Sequence, residues 1–127
     1  ELGNHTYSHT DLSTLAPEDM SAEIAGVDEL LTELTGHGAT VVRPPYGSVN
    51  SSVKETVGTP MILWSIDTLD WESQDPQKIV DTTLSQVEDG SIILMHDIFS
   101  TDEKTFFAGR RFEFNQRAFL CCKKAGI

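Results

Sequence analysis

The chain has 127 residues and a formal net charge of −11, with 39% hydrophobic and 23% charged side chains. This length supports one domain with a core, and the composition is that of a globular protein rather than a disordered one. The strong negative charge argues against a nucleic-acid partner, because the phosphate backbone attracts basic surfaces. The sequence contains no apolar run near the roughly 18 residues of a membrane span, and its polar start is unlike a secretory leader.

Charge and aromatic residues are distributed unevenly along the chain. Residues 1–98 carry 17 acidic and 3 basic side chains, whereas residues 99–127 carry 3 acidic and 6 basic ones together with all six phenylalanines. Two adjacent cysteines, Cys121 and Cys122, also lie in the last segment, without the spacing of a zinc site. We therefore predict a domain boundary after residue 98 and a divergent tail over 99–127, of frameshifted or foreign origin.

Three predicted helices alternate with three predicted strands. The first helix begins at Pro17 and ends at Gly36, with apolar residues at steps of three and four between them. A capped helix over 50–57 follows, and a third runs from Pro76 to Gly90. Apolar runs between the helices predict strands, the last two buried on both faces, over 39–42, 60–66 and 91–95. This alternation indicates an α/β protein with a parallel sheet.

Ionisable residues follow all three predicted strands. Arg43 follows the first, Asp67 and Asp70 follow the second, and His96 follows the third. Because sites in parallel α/β proteins lie at the carboxyl ends of the strands, we expect these side chains at one rim. We expect Asp70 and His96 within hydrogen-bonding range, with one carboxylate orienting and charging the histidine. In the alternative interpretation the aspartates cap loops and His96 is a neutral histidine bonded to the backbone.

The segment RPPYG at 43–47 predicts a rigid turn. Neither proline has an N–H, so Tyr46 carries the first free backbone donor, which can stabilise an oxyanion. The planar guanidinium of Arg43 suits a carboxylate that it binds through two hydrogen bonds. The alternative is an ordinary proline turn beside a surface arginine.

Two histidines four residues apart, His5 and His9, stand in the segment HTYSH. On a helix this spacing places both rings on one face, where a divalent ion such as zinc binds between imidazole nitrogens. The alternative is a polar helix start with solvated or capped histidines. We expect the ring nitrogens to lie close enough to share one ion, and two ligands alone to bind zinc weakly.

Four segments, HTYSH, RPPYG, DTLDW and LMHD, together resemble the motifs of the polysaccharide deacetylase family, also called the NodB-homology carbohydrate esterases. The resemblance covers roughly residues 1–98 and is most like the peptidoglycan N-acetylglucosamine deacetylases. It implies a partial distorted (β/α) barrel without its N-terminal strands. It also implies metal-dependent removal of N-acetyl groups from peptidoglycan or a chitin-like polysaccharide, outside the cell or at its surface.

The resemblance assigns roles to residues near the first and second motifs. His5 and His9 match the two metal-binding histidines, with zinc as the expected ion and cobalt or another divalent ion as alternatives. Arg43 matches the arginine that holds the catalytic base. The backbone N–H of Tyr46 matches the oxyanion donor, and Tyr46 also borders the substrate.

The resemblance likewise assigns roles in the third and fourth motifs. His96 matches the general acid, and Asp70 matches the aspartate that tunes it. Trp71 matches the tryptophan that forms a wall of the acetyl pocket, and Leu94 matches a residue that lines the same pocket.

One family motif has no counterpart in this sequence. The family carries an early Asp-Asp pair that supplies the catalytic base and a third metal ligand, and no such pair occurs here. Asp11 stands only two residues from His9 and is expected to point elsewhere. We therefore expect an inactive fragment of a deacetylase. The alternatives are a non-catalytic carbohydrate-binding remnant and an O-acetyl xylan esterase.

Overall fold

The computed structural model describes residues 2–73 and 75–96, together with the backbone of 118–120. The chain divides into two compact units. The first unit contains the described residues up to Leu63 together with 118–120, and the second contains the described residues from Trp64 to His96.

The first unit contains two helices and a short strand: β1 (Leu2–Asn4), α1 (Pro17–Thr35) and α2 (Ser51–Val57). Helix α1 begins at a proline, which needs no hydrogen bond for an N–H there, and ends at Gly36 with φ of 85°. Helix α2 begins after Asn50, whose side chain accepts a hydrogen bond from the Val53 N–H. Both predicted helices are confirmed.

The core of the first unit lies between these helices and the turn at Leu12–Thr14. Leu12, Met20 and Val53 are fully or almost fully buried against one another. The apolar stripe predicted on α1 is confirmed at Met20, Val27 and Leu31, which are all buried, whereas Leu34 is exposed. Burial of one stripe stabilises α1 because most helix stability in proteins comes from such packing.

Strand pairing in the first unit is brief. Asn4 at the end of β1 forms a parallel bridge with Val42, and Val42 forms a parallel bridge with Met61. The predicted strand over 39–42 is thus reduced to a single residue, Val42, that bridges to both sides, because the two prolines that follow have no N–H to extend a ladder. A further strand, β4 (Ala118–Leu120), pairs antiparallel with β1.

The second unit contains β2 (Ile66–Asp67), α3 (Pro76–Leu84) and β3 (Ile93–Leu94), and its two strands pair in parallel. Helix α3 begins after Asp75, whose carboxylate accepts the Gln77 N–H at 3.0 Å. It ends at Leu84 rather than at the predicted Gly90. The side chains of the next two residues donate to the Thr82 carbonyl at 2.9 and 3.0 Å, and such bonds compete with the helical ladder.

The prediction that the last two strands are buried on both faces is wrong for the described residues. Ile66 and Leu94 are buried, while Leu63, Ile93 and Met95 are exposed. Burial therefore alternates along these segments, which is typical of strands covered on one side.

Most of the predicted tail over 99–127, with its two cysteines, lies outside the described residues. The boundary after residue 98 stays a prediction. Within the described ranges, the helices fall short of the length and apolarity that crossing a bilayer requires.

Candidate active site

The two histidines of the HTYSH segment lie in a loop directly after β1. Thr6 and His9 have φ of 67° and 59°, values that a right-handed helix cannot contain. The predicted helical placement of His5 and His9 is therefore wrong. Their rings nevertheless meet edge to face, with centroids 4.9 Å apart and an angle of 76° between the ring planes.

Two buried polar side chains build this loop. The Oδ1 atom of Asn4 accepts the Thr6 N–H at 2.8 Å, and the Thr6 hydroxyl accepts the His9 N–H at 3.1 Å. The Asn4 amide also donates to the Ile24 carbonyl and the Asp28 carboxylate of α1, at 2.8 and 3.0 Å. These bonds offset the strain of two positive φ angles, which cost about 1–2 kcal/mol each outside glycine.

Asn4 and Thr6 were not among the predicted site residues. A signal for them exists in the sequence, because both residue types bond readily to backbone N–H groups two or three positions on. An asparagine and a threonine that flank the first histidine therefore indicate a turn. The four-residue spacing of the histidines does not distinguish a turn from a helix.

His5 has a defined tautomer. Its Nδ1 atom lies 2.5 Å from the carbonyl oxygen of Arg43. A carbonyl only accepts hydrogen bonds, so Nδ1 carries the proton and Nε2 keeps its lone pair. A metal-binding histidine commonly has this arrangement, in which one nitrogen donates to a carbonyl and the other binds the ion.

The histidine pair fits part of a zinc site. An ion about 2.0–2.1 Å from one nitrogen of each ring, at a near-tetrahedral angle, holds the ring centroids about 5 Å apart. The separation between His5 and His9 is 4.9 Å. No third histidine, cysteine or carboxylate completes a metal cluster within the part of the chain that the structure describes.

Asp11 does not join the pair. Its carboxylate accepts the hydroxyl and the N–H of Ser13, at 2.7 and 2.9 Å. These two bonds, in that order, lower the pKa of Asp11 below its ordinary value. The expectation that Asp11 points elsewhere agrees with these contacts.

Arg43 is buried, so the alternative of a surface arginine is wrong. Its backbone N–H donates to the Asn4 carbonyl at 2.8 Å. Its guanidinium donates to the carbonyl oxygens of Ile62 and Leu63, at 3.4 and 3.3 Å. The side chain is thereby fixed against the segment that follows Met61.

Tyr46 occupies the centre of a tight turn, Pro45–Gly47, with φ of 60° and ψ of 5°. The N–H groups of Gly47 and Ser48 close the turn on the carbonyls of Pro44 and Pro45, each at 3.1 Å. The Tyr46 side chain is 70% exposed, and its ring centroid lies 5.0 Å from that of His9. The structure thus brings Tyr46 next to the histidine pair.

In the second unit, Asp70 holds His96 with both carboxylate oxygens. Oδ1 lies 2.8 Å from the ring Nδ1, and Oδ2 accepts the backbone N–H of His96 at 2.6 Å. The side chain of Asp70 is 1% exposed, whereas that of His96 is 37% exposed. The predicted contact between these residues is confirmed, and it assigns the proton of the His96 ring to Nδ1.

The pKa of Asp70 reflects opposing effects. Burial raises the pKa of Asp70. The ring and backbone hydrogen bonds from His96, followed by the charge of His96 and the Thr68 hydroxyl, lower it, and together they outweigh the effect of burial. The net pKa lies below the ordinary value of 3.8. A carboxylate with a depressed pKa stabilises the fold above its unfolded-state value, and this stabilisation disappears as pH falls through the folded-state value.

We expect the Asp70→Asn variant to lose stability relative to the unmodified chain at neutral pH, and the difference to shrink below pH 3.8. Urea unfolding between pH 7 and pH 3 measures both free energies. The control is Asp89→Asn, which changes an exposed carboxylate of the same unit. A difference between Asp70→Asn and the unmodified chain that is constant over this range would contradict the assigned cause.

Asp67 has a different role from Asp70. Its carboxylate accepts the Leu69 N–H at 3.0 Å and the indole N–H of Trp71 at 3.3 Å. The loop-capping alternative is thus correct for Asp67 and incorrect for Asp70. Trp71 is held by this bond while 60% of its side chain stays exposed, and Leu94 is buried.

The predicted site residues fall into two groups, one in each unit. The first group contains the histidine pair, the buried arginine and the exposed tyrosine: His5, His9, Arg43 and Tyr46. The second group contains the aspartate–histidine pair, the exposed tryptophan and a buried leucine: Asp70, His96, Trp71 and Leu94.

Comparison with known proteins gives matches to polysaccharide deacetylases in both sequence and structure. Residues 1–59 match the family profile described as polysaccharide deacetylase. Over 101 residues the chain is 35% identical to the peptidoglycan-N-acetylmuramic acid deacetylase PdaC of Bacillus subtilis. It is 36% identical over 101 residues to the peptidoglycan-N-acetylglucosamine deacetylase PgdA of Listeria monocytogenes. Each of these alignments covers 80% of this chain and 22% of the relative.

The solved structure of Bacillus subtilis PdaC matches the fold with a TM-score of 0.72 and 33% sequence identity, over 76% of this chain and 48% of that one. The fold is therefore part of a distorted (β/α) barrel of the carbohydrate esterase type, as predicted. The chain is thus similar to polysaccharide deacetylases, over residues 1–59 in the family profile and over 101 residues in each of these two relatives. It spans about a fifth of the length of these two curated relatives.

Proposed function

We propose that this chain is part of a metal-dependent deacetylase that removes N-acetyl groups from N-acetylglucosamine in peptidoglycan or a chitin-like polysaccharide. One observation carries the proposal: the Nδ1 atoms of His5 and His96 each have a hydrogen-bond acceptor, which fixes the orientation of the ring. Nε2 is then the atom proposed for metal binding in His5 and for proton transfer in His96. The acceptor of His5 is a neutral carbonyl, which suits a metal ligand. The acceptor of His96 is a carboxylate, which suits a group that carries positive charge.

In this proposal, His5 and His9 hold the divalent ion, with zinc preferred over cobalt or other ions. A bound ion supplies Lewis-acid polarisation of the acetamide carbonyl. The Tyr46 N–H donates a hydrogen bond to the carbonyl oxygen as negative charge develops on it. The buried guanidinium of Arg43 would orient the carboxylate of the general base, which the resemblance assigns to the Asp-Asp pair that these 127 residues lack.

His96 is the general acid of the proposed reaction. Protonated at both nitrogens, it keeps its Nδ1–H on Asp70 and transfers the Nε2 proton to the sugar nitrogen as the bond from that nitrogen to the acetyl carbon breaks. Asp70 stabilises the imidazolium before the transfer and retains the ring orientation afterwards. Trp71 and Leu94 provide apolar surface for the acetyl methyl group.

We also propose little or no hydrolysis by these 127 residues alone, because the sequence contains no Asp-Asp pair to supply a base and a third ligand. The polymeric substrate places the proposed activity at the cell surface or outside the cell.

Acetate release by a chimera tests the proposed function. In this chimera, residues 1–98 replace the matching segment of Bacillus subtilis PdaC, so that the remainder supplies the absent groups. We expect acetate release from peptidoglycan or chitooligosaccharides that stops on chelation and returns with zinc. The control is the same chimera with His5→Ala and His9→Ala.

Two other outcomes would favour the alternatives. Acetate release from acetylated xylan, without release from N-acetylated glycans, would indicate an O-acetyl esterase. Glycan binding without release from either substrate would indicate a carbohydrate-binding remnant.

A further inference from the structure

The loop that carries His5 and His9 has an anchor on α1 that the proposed function does not use. Glu23 accepts the Ser8 N–H through Oε2 at 2.6 Å and the Ser8 hydroxyl through Oε1 at 2.5 Å. The backbone carbonyl of Glu23 also accepts the Tyr7 N–H at 3.1 Å. One residue of α1 thus forms three hydrogen bonds to the two residues that precede His9.

A glycine one turn further along α1 supports the same contact. A Cβ atom placed on Gly26 would lie 3.1 Å from Cδ2 of Tyr7, which is closer than most such contacts. Glycine in a helix interior costs about 1 kcal/mol relative to alanine. Its presence here allows the Tyr7 ring to lie against the helix, with Ser8 in reach of Glu23.

We propose that Glu23 is a positioning residue for the His5–His9 pair, an inference that rests on the proposed metal-binding role of that pair. Ser8 immediately precedes His9, whose φ of 59° is strained. The Ser8 hydroxyl donates to Glu23 and therefore accepts from the Thr10 hydroxyl, 2.7 Å away, so residues on both sides of His9 are tied to α1.

The two histidines are thus fixed from different sides. His5 is held at its ring by the Arg43 carbonyl, whereas the backbone around His9 is held through Ser8 and Thr10. Loss of the Glu23 carboxylate leaves the His5 ring in place and frees the backbone next to His9. The distance between the two rings then becomes variable, and the affinity for an ion that bridges them falls.

The test uses the full chain with Cys121→Ser and Cys122→Ser, so that the thiols bind no zinc. Glu23→Ala removes the anchor, and Glu23→Gln keeps one acceptor oxygen. Glu29→Ala is the matched control, because it removes an exposed glutamate from the same helix. Calorimetry gives the zinc affinity, and NMR gives the exchange rate of the Ser8 amide and the contact between the His5 and His9 rings.

We expect Glu23→Ala to weaken zinc binding about 10-fold or more, since loss of a residue that orients metal ligands costs 10–100-fold in affinity. Glu23→Gln should show an intermediate loss, and Glu29→Ala should stay within about twofold of the unmodified chain. The Ser8 amide should exchange faster in Glu23→Ala alone. A purely structural role would lower the melting temperature without changing zinc affinity in the folded chain.

Unchanged zinc affinity and Ser8 exchange in Glu23→Ala would overturn the inference. If the unmodified chain binds no zinc, the proposed metal role fails separately, and the ring contact decides the positioning role. Loss of the His5–His9 contact in Glu23→Ala would then uphold that role, and its retention would overturn it.

Discussion

Replacement of His96 by alanine is expected to lower kcat for deacetylation by the PdaC chimera by roughly 10²–10⁴, the usual contribution of general acid catalysis. The physical reason is that the departing sugar nitrogen is a poor leaving group until it is protonated. Asp70 holds the His96 ring at Nδ1, so Nε2 is the atom from which the proton comes. Acetate release measured under saturating substrate gives kcat directly.

The matched control for this experiment is His37→Ala. His37 is an exposed turn residue whose Nδ1 lies 3.0 Å from the Gly38 carbonyl, so the variant makes the same chemical change away from the proposed machinery. Its kcat should stay within about twofold of the unmodified chimera. A loss in His96→Ala no larger than that in His37→Ala would remove His96 from the mechanism.

Removal of either histidine of the pair is expected to weaken zinc binding to the chain by more than about 100-fold. Loss of a residue that only orients a ligand costs 10–100-fold, and loss of the ligand itself costs more. Calorimetry on His5→Ala and His9→Ala, in the background without cysteines, compares each variant with His37→Ala. Tight binding of one zinc ion per chain that survives His9→Ala would place the ion elsewhere.

The helices of this fold could be predicted well because their ends have local causes. A proline begins α1 and a glycine with positive φ ends it, and both are visible in the sequence. The end of α3 was less visible, because it depends on whether Ser85 and Gln86 side chains bond to the Thr82 carbonyl or leave it to the ladder. That competition is decided by conformation rather than by residue type.

The histidine pair shows where prediction from spacing fails. His5 and His9 have the spacing of a helical pair, and the rings do meet, but through a turn. The turn forms because Asn4 and Thr6 accept the N–H groups of Thr6 and His9, and because the Asn4 amide is held by residues of α1 that lie 20 and 24 positions away. A contact of that range has no signature in a five-residue motif.

Asp67 and Asp70 show the same limit in the second unit. Both aspartates follow the predicted strand, and their sequence context alone does not separate a cap from a catalytic partner. Asp67 accepts from Leu69 and Trp71, both within four residues, whereas Asp70 bonds to His96, which lies two residues beyond the end of β3. Strand pairing between β2 and β3 sets this difference, because it determines which carboxylate reaches residue 96.

Asp70 forms two chemically different hydrogen bonds to residue 96, one to the ring and one to the backbone N–H. The bond to the ring depends on histidine, but the bond to the backbone N–H is open to every residue type except proline. A single substitution at position 96 could therefore abolish proton transfer while one of the two bonds that hold this loop persists. On the proposed mechanism, one substitution at residue 96 is thus enough to give a protein that binds the glycan without cleaving it.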